Sequence, residues 1–316
     1  MTEQNMQTRS DKPHKPVQGC TVCGQWEAVV ADDAQTGHAS MRVAPEHATV
    51  TANSRMPTGP PPVVKLAYCF GLNFVNPRNF GGWVGALRGA VNDATDLAAL
   101  AARLGYVAHT RCNAEASTGA FWRVLDEARY LRAGDKLLLA FSGHGATVPG
   151  AEPDGKNEAL VLYDGLALDS YLNQALTQLD SGVEVVVVLD CCFAGGLGPA
   201  EKRLKGWREK FAPPEVVRPT TPKLRPCAGI SGGLAASVLW LMATSEGEPA
   251  IDANENGAWT AALLEAFDKL APAGGPAPTW GDVAAAAAAI CAEKYGQKPC
   301  YTSAGPVNLL NKTVIA

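Results

Sequence analysis

The sequence predicts an α/β fold with a mostly parallel central sheet and helices on both faces. Three observations lead there. Two runs, Val185–Leu189 and Leu137–Phe141, are apolar at every position. A strand that shows no polar alternation is one buried on both faces, as in a parallel sheet. Both runs then stop in polar or reactive groups, Ser142-Gly143-His144-Gly145 and Asp190-Cys191-Cys192. The carboxyl ends of parallel strands are where open α/β sheets place their ligands. Finally, strand-like and helix-like stretches alternate along the chain as β-α-β-α-β-loop-β-α-β, the order that builds parallel sheets.

Composition supports a folded core and excludes several roles. Of 316 residues, 47% are hydrophobic and 18% charged, which is a globular balance. The net charge of −4 argues against a nucleic-acid surface. No apolar run reaches the length of a membrane span, and the first thirty residues lack the apolar centre of a signal peptide. Nine cysteines, an odd number with Cys191 and Cys192 adjacent, are not a secreted disulfide framework. A reducing, cytoplasmic location is expected.

Residues 1–62 read as an N-terminal extension, polar and closed by the stiff run Pro57-Thr58-Gly59-Pro60-Pro61-Pro62. Cys20 and Cys23, with His38 and His47 downstream, resemble zinc ligands in type, but the gap between the histidines is too wide for the usual pattern. Residues 63–198 carry the two tips. Val63–Val75 opens them as a strand, and 86–104 as a helix, with Leu87, Val91, Ala94, Ala98 and Ala101 on one face and Gly105 after its end. Tyr106–Cys112 follows as a strand, Ala114–Arg132 as a helix, Ala159–Tyr163 as a further strand and Leu168–Leu179 as a third helix. Residues 199–233 are rich in proline and basic side chains without periodicity, an exposed and mobile loop. In the last part, 234–316, Ser237–Ala243 reads as a buried strand, Ala258–Leu270 and Asp282–Tyr295 as helices, and Val307–Leu310 as a short final strand.

One strand end delivers a histidine and the other a cysteine, which suggests a Cys–His nucleophilic pair. A cysteine attacks as thiolate, and a histidine beside it removes the proton and later protonates the leaving amine. The tetrahedral intermediate needs N–H donors, for which the peptide groups at Gly143 and Cys192 are the candidates. Side chains alternate along a strand, so Cys191 and Cys192 face opposite sides and Asp190 shares a face with Cys192. Periodicity leaves open which cysteine meets His144.

The motif F-S-G-H-G at 141–145, with D-C-C-F-A-G at 190–195, resembles the two signature boxes of metacaspases and related bacterial caspase-like cysteine peptidases. The likeness spans roughly residues 63–310, and the histidine lies 48 residues before Cys192, close to the caspase spacing. The resemblance implies a caspase-like sandwich, with Cys192 as nucleophile and His144 as base. It also implies cleavage after Arg or Lys in an acidic pocket, to which Asp93, Asp190 and Ser142 match. Two carboxylates suit the forked donors of a guanidinium. The box Q-A-C-[RQG]-G of aspartate-cutting caspases is absent. Such peptidases are often cut between a larger and a smaller segment, which gives the basic loop a role as self-substrate. No cofactor is required for the chemistry. Calcium, which many metacaspases bind, has Asp154, Glu158 and Asp169 as candidate ligands, with Pro199 where a further acid is expected.

The expected partners are therefore proteins or peptides with Arg or Lys before the cleaved bond, with no nucleic acid, no membrane and a monomeric chain. The competing reading is a caspase-like fold kept for binding or regulation, with little proteolysis. A thiol redox protein using Cys191-Cys192 or Cys20-Cys23 fits less well, since neither pair opens a helix after a thioredoxin-like strand.

Overall fold

A computed structural model describes residues 62–149, 156–192, 207–217, 233–244, 249–271 and 276–314. Its centre is a six-stranded sheet built from β1 (Lys65–Gly71), β2 (Val107–Cys112), β3 (Lys136–Ser142), β7 (Glu184–Asp190), β9 (Ser237–Met242) and β12 (Cys300–Ala304). The spatial order is β12-β9-β7-β3-β1-β2. Every neighbouring pair is parallel except β12 with β9. The two uniformly apolar runs are the two central strands, β3 and β7, each buried beyond its first residue.

The pleat sorts their side chains to two cores. Leu138, Ala140, Val186 and Val188 pack with α1 (Ala90–Arg103), α4 (Ala258–Leu270) and α5 (Trp280–Tyr295). Leu137, Leu139, Val185 and Val187 pack on the other face, with α2 (Thr118–Ala128) and α3 (Asp169–Leu176). Helices thus cover both faces, as the alternation requires. Among the described residues no helix is long and apolar enough to cross a membrane.

The structure departs from the sequence reading at three places. Ala159–Tyr163 was expected to continue the main alternation. Its strand, β5 (Lys156–Leu162), instead sits in a separate antiparallel sheet between β4 (Gly145–Pro149) and β6 (Gly165–Leu168). Only Tyr163 and Asp164 separate β5 from β6, and so short a turn can join only antiparallel strands. The helix expected from Ala114 begins later. Asn113–Glu115 form a 3-10 turn, and the Ser117 hydroxyl accepts from Ala120 N at 3.2 Å to start α2. Near the C-terminus, the strand expected at Val307–Leu310 is replaced by a 3-10 turn at Leu309–Asn311, and the last strand is β12. An edge strand with exposed side chains, C-Y-T-S-A, has no need of the apolar pattern that marks a buried one.

Two further short strands matter for the site. β10 (Ile251–Ala253) pairs antiparallel with β11 (Asn256–Gly257) and with β8 (Arg208–Glu209). Asp252, in the middle of β10, is buried and accepts from Arg88 N at 2.7 Å and Gly89 N at 2.8 Å. It thereby supplies the cap that α1 lacks in its own sequence, where Gly89 offers no side chain. Removing it should leave two N–H groups without partners. Asp252→Ala is expected to lower the unfolding free energy by about 1–3 kcal/mol in urea titration. Thr279→Ala, which breaks the exposed capping box of α5, should cost about 1 kcal/mol.

Candidate active site

The two strand tips lie side by side. β3 and β7 pair in register so that Ser142 opposes Asp190. Gly143 N then donates to Asp190 O at 3.4 Å, extending the ladder by one residue. The tips converge so closely that a Cβ on Gly145 would collide with the Cys192 carbonyl, so only glycine fits after His144. Cys191 packs into one core and Cys192 into the other, as strand alternation requires.

Asp93, in the first turn of α1, and Asp190 are fully buried, and Ser142 nearly so. Ser142 Oγ donates to Asp93 Oδ2 at 2.6 Å, and Gly257 N donates to Asp93 Oδ1 at 2.8 Å. Thr260 gives its N–H at 3.0 Å and its hydroxyl at 2.8 Å to Asp190 Oδ2. Both carboxylates therefore face the N-terminus of α4, whose free N–H groups and dipole favour negative charge. The structure brings together the three residues expected to form an acidic pocket.

That pocket holds a cation from the same chain. Lys210 Nζ lies 3.0 Å from Asp93 Oδ2, 2.9 Å from Asp190 Oδ1 and 2.9 Å from Ser142 Oγ, with its side chain fully buried. Its contact with Asp190 is an ion pair rather than an aligned hydrogen bond. Burial pulls the ammonium's pKa down, but Asp190 and Asp93 more than offset it, so Lys210 is held above its ordinary value. Burial pushes the Asp93 carboxyl up; Lys210 opposes this and the neighbouring Asp190 charge adds to it. A Cβ on Gly257 would strike both the Asp190 carboxylate and the Lys210 ammonium. Residues 199–233 were expected to be an exposed loop. The piece described, 207–217, instead includes a wholly buried lysine, because two desolvated carboxylates need a counter-charge. The rest of the loop, 199–206 and 218–232, lies outside the described residues.

The backbone of this piece runs across the strand tips. The Lys210 carbonyl accepts from Gly145 N at 2.9 Å and Cys192 N at 3.2 Å. Lys210 N donates to Ala250 O at 3.0 Å, and Ala212 N donates to Gly145 O at 2.8 Å. Upstream, Glu209 and Arg208 pair with Ile251 and Asp252. This corrects one expectation. Gly143 is spent on the Asp190 carbonyl, and the N–H that converges with that of Cys192 belongs to Gly145.

His144 and Cys192 each hold partners of their own. His144 Nε2 meets Gly85 O at 3.0 Å, and the ring lies 4.8 Å from that of Trp83. Nδ1 has no aligned hydrogen-bond partner, although the Phe211 backbone is near enough to favour its protonated form. Burial lowers the imidazole to about 4, and the Lys210 charge lowers it further against the Gly85 and Phe211 backbone groups. Ala250 N donates to Cys192 Sγ at 2.8 Å, and the thiol points at Ala250 O, 3.7 Å away. Burial raises this thiol to about 12, and the Glu209 and Asp190 charges add to that against the Ala250 N–H and Lys210. Burial thus favours the neutral form of both groups.

Two of the three expected calcium ligands lie together. Glu158 and Asp169 line one cavity of about 250 Å³ beside Leu172 and Trp240, and Asp169 Oδ1 is buried without a partner. Burial pushes the Asp169 carboxyl up, against backbone hydrogen bonds at Ser170 and Glu158. Asp154 lies outside the described residues, as do Cys20, Cys23, His38 and His47. Among the described residues no three acidic, His or Cys side chains cluster to hold a metal.

Sequence reasoning missed Lys210, Gly257 and Thr260. Lys210 is one of eight basic residues between 201 and 225, and nothing local marks it out. The buried imidazole gives a pH test. An unfolded histidine titrates near 6.5, so the unfolded chain binds more protons than the folded one between that value and about 4. Stability from this group is complete above pH 6.5 and is lost as pH falls toward 4, by about 3 kcal/mol in all. His144→Gln should flatten that part of the urea-midpoint profile relative to wild type.

The comparisons agree with this architecture. The profile of the family described as Caspase domain, Peptidase_C14, matches residues 73–310, well over half of the chain. Among solved structures, protein GSU0716 from Geobacter sulfurreducens superposes with a TM-score of 0.63 at 27% identity, covering 78% of this chain and 95% of that one. Caspase-1 from Spodoptera frugiperda superposes at 0.53 and 14% identity, covering 82% and 97%, a likeness of fold alone. No curated protein matches in sequence. With a caspase-domain profile over both strand tips and a matching fold, the chain belongs to the caspase-domain family of peptidases, which supports a cysteine peptidase in general and implies protein substrates.

Proposed function

We propose that the protein is a cysteine endopeptidase that cleaves after Lys or Arg, and that its first substrate is its own Lys210–Phe211 bond. One observation carries the reading. Lys210 has its ammonium between two buried carboxylates while its carbonyl oxygen receives the N–H groups of Gly145 and Cys192. That is the pose a basic residue needs before the bond that follows it is cut.

The chemistry follows from the groups in place. The Cys192 thiol turns from Ala250 and gives its proton to His144, and Sγ bonds to the carbonyl carbon. The charge that develops on the oxygen is met by Gly145 N and Cys192 N. Collapse breaks the C–N bond, and the leaving amine of Phe211 takes the proton from His144. Water then hydrolyses the thioester. Nε2, tied to Gly85 O, orients the ring throughout. The six described cysteines are free thiols, which suits a reducing, cytoplasmic setting.

A catalytically silent binding module is favoured by one observation: the thiol's hydrogen-bond partners are those of Ala250 and both members of the dyad are neutral. Fluorogenic peptides ending in Arg, Lys or Asp, assayed with and without calcium, decide between them. Wild type should turn over the basic peptides and not the acidic one, and Cys192→Ala should turn over none. Asp93→Asn or Asp190→Asn should lower kcat/KM on the Arg peptide roughly a hundredfold, because a buried charge pair loses a member. On a gel, the 33.0 kDa wild type should yield fragments of about 22 and 11 kDa, from a cut after 210 of 316 residues. Cys192→Ala and Lys210→Gln should stay whole; fragments from the cysteine variant would refute self-processing.

A further inference from the structure

We infer that the protein also reads its substrate on the leaving side of the cut. The second residue after the cleaved bond is held by its N–H on the Gly145 carbonyl, and its side chain must be small. The inference rests on reading Lys210–Phe211 as the bond that is cut, and it names what must follow that bond in a substrate. Gly145 N donates to Lys210 O at 2.9 Å, and Gly145 O accepts from Ala212 N at 2.8 Å. The two bonds make a parallel bridge between Gly145 and Phe211. Both polar groups of one glycine therefore bracket the peptide unit to be cut.

The bracket joins binding to chemistry. Gly145 N meets the carbonyl that is attacked, so a peptide anchored on Gly145 O has that carbonyl brought to Gly145 N by the same register. The glycine is held from behind. Val161 N donates to His144 O at 2.9 Å, and Ala146 opposes Ala159 in the β4–β5 pair. Strand alternation then directs the N–H and C=O of Gly145 away from β5 and onto the segment.

The size limit comes from burial. Ala212 is wholly buried and belongs to the core beneath α2 and α3. Ala146 and Ala159, the pair that follows Gly145, are two more wholly buried alanines of that core. Close-packed surroundings leave no slack for a larger side chain, which would shift its neighbours. Phe211 differs: it is half-buried and packs against the opposite core, as alternation along an extended chain requires. The first position after the cut thus takes a large ring and the second does not. Proline fails at the second position for a separate reason, since it has no N–H to give. The predicted substrate class is a peptide with Ala or Gly two places after Lys or Arg.

The test uses quenched peptides Ala-Glu-Lys-Phe-Xaa-Ser, with Xaa as Ala, Gly, Leu, Trp or N-methylalanine, and mass spectrometry to place the cut. Wild type should cut the Ala and Gly peptides alike and the other three about tenfold more slowly in kcat/KM. An N-methylalanine peptide cut as fast as the Ala peptide would overturn the anchor, and a Trp peptide cut as fast would overturn the size limit; either refutes the site. A second arm needs no turnover. In the Cys192→Ala chain, trypsin should cut after Lys210 faster once Ala212→Trp is added, but not with Ala212→Gly. Trypsin cleavage after Lys269, in α4, reports general unfolding and should stay unchanged. A rise at both lysines, or at neither, would count against the site. Loss of protection confined to Lys210, in a chain that cuts none of the peptides, would leave the site standing and refute the peptidase reading. Cleavage after Lys at one rate in all five peptides would do the reverse.

Discussion

Two carboxylates, Asp93 and Asp190, are buried beside each other and share one cation. Desolvation makes such a pair costly unless every lone pair is met and the charge is offset. The fold meets that demand from several elements at once. The N-terminus of α4 gives Gly257 N and the Thr260 N–H and hydroxyl, and β3 gives the Ser142 hydroxyl. The remaining requirement is a positive charge, and Lys210 supplies it. The box therefore holds the chain's own lysine by electrostatics.

The same constraint explains the path of the backbone. A lysine side chain reaches the carboxylates only if its own main chain lies across the ends of β3 and β7. There the two nearest free N–H groups are those of Gly145 and Cys192. Gly145 and Gly257 are the points of closest approach, one under the Cys192 carbonyl and one under the Asp190–Lys210 pair, where no Cβ fits. With the segment in place His144 and Cys192 are buried, and burial favours the neutral form of each.

The extent to which the sequence revealed this differs by residue. His144, the pair Cys191 and Cys192, Asp190 and Ser142 stood out because they end apolar runs, which are local signals, and resemblance chose Cys192 from the pair. Asp93 was assigned through resemblance alone, since a carboxylate in the first turn of a helix is ordinary. The separate sheet of β4–β6 was hidden because five apolar residues look alike in parallel and antiparallel strands. Gly145 was passed over in favour of Gly143, since sequence does not say which N–H the ladder consumes. Lys210 carried no signal at all, lost among basic neighbours.

By itself, then, the sequence determined the α/β class, the two buried central strands and the chemical groups at their tips, because hydrophobic periodicity and strand alternation act over a few residues. Only the tertiary structure decided which lysine fills the acidic box, which amides meet its carbonyl and which N–H meets the carbonyl of Gly145. Those contacts join residues from 18 (Cys192 and Lys210) to 117 (Asp93 and Lys210) positions apart. Their geometry is set by how helices and strand edges pack, and no local pattern encodes it.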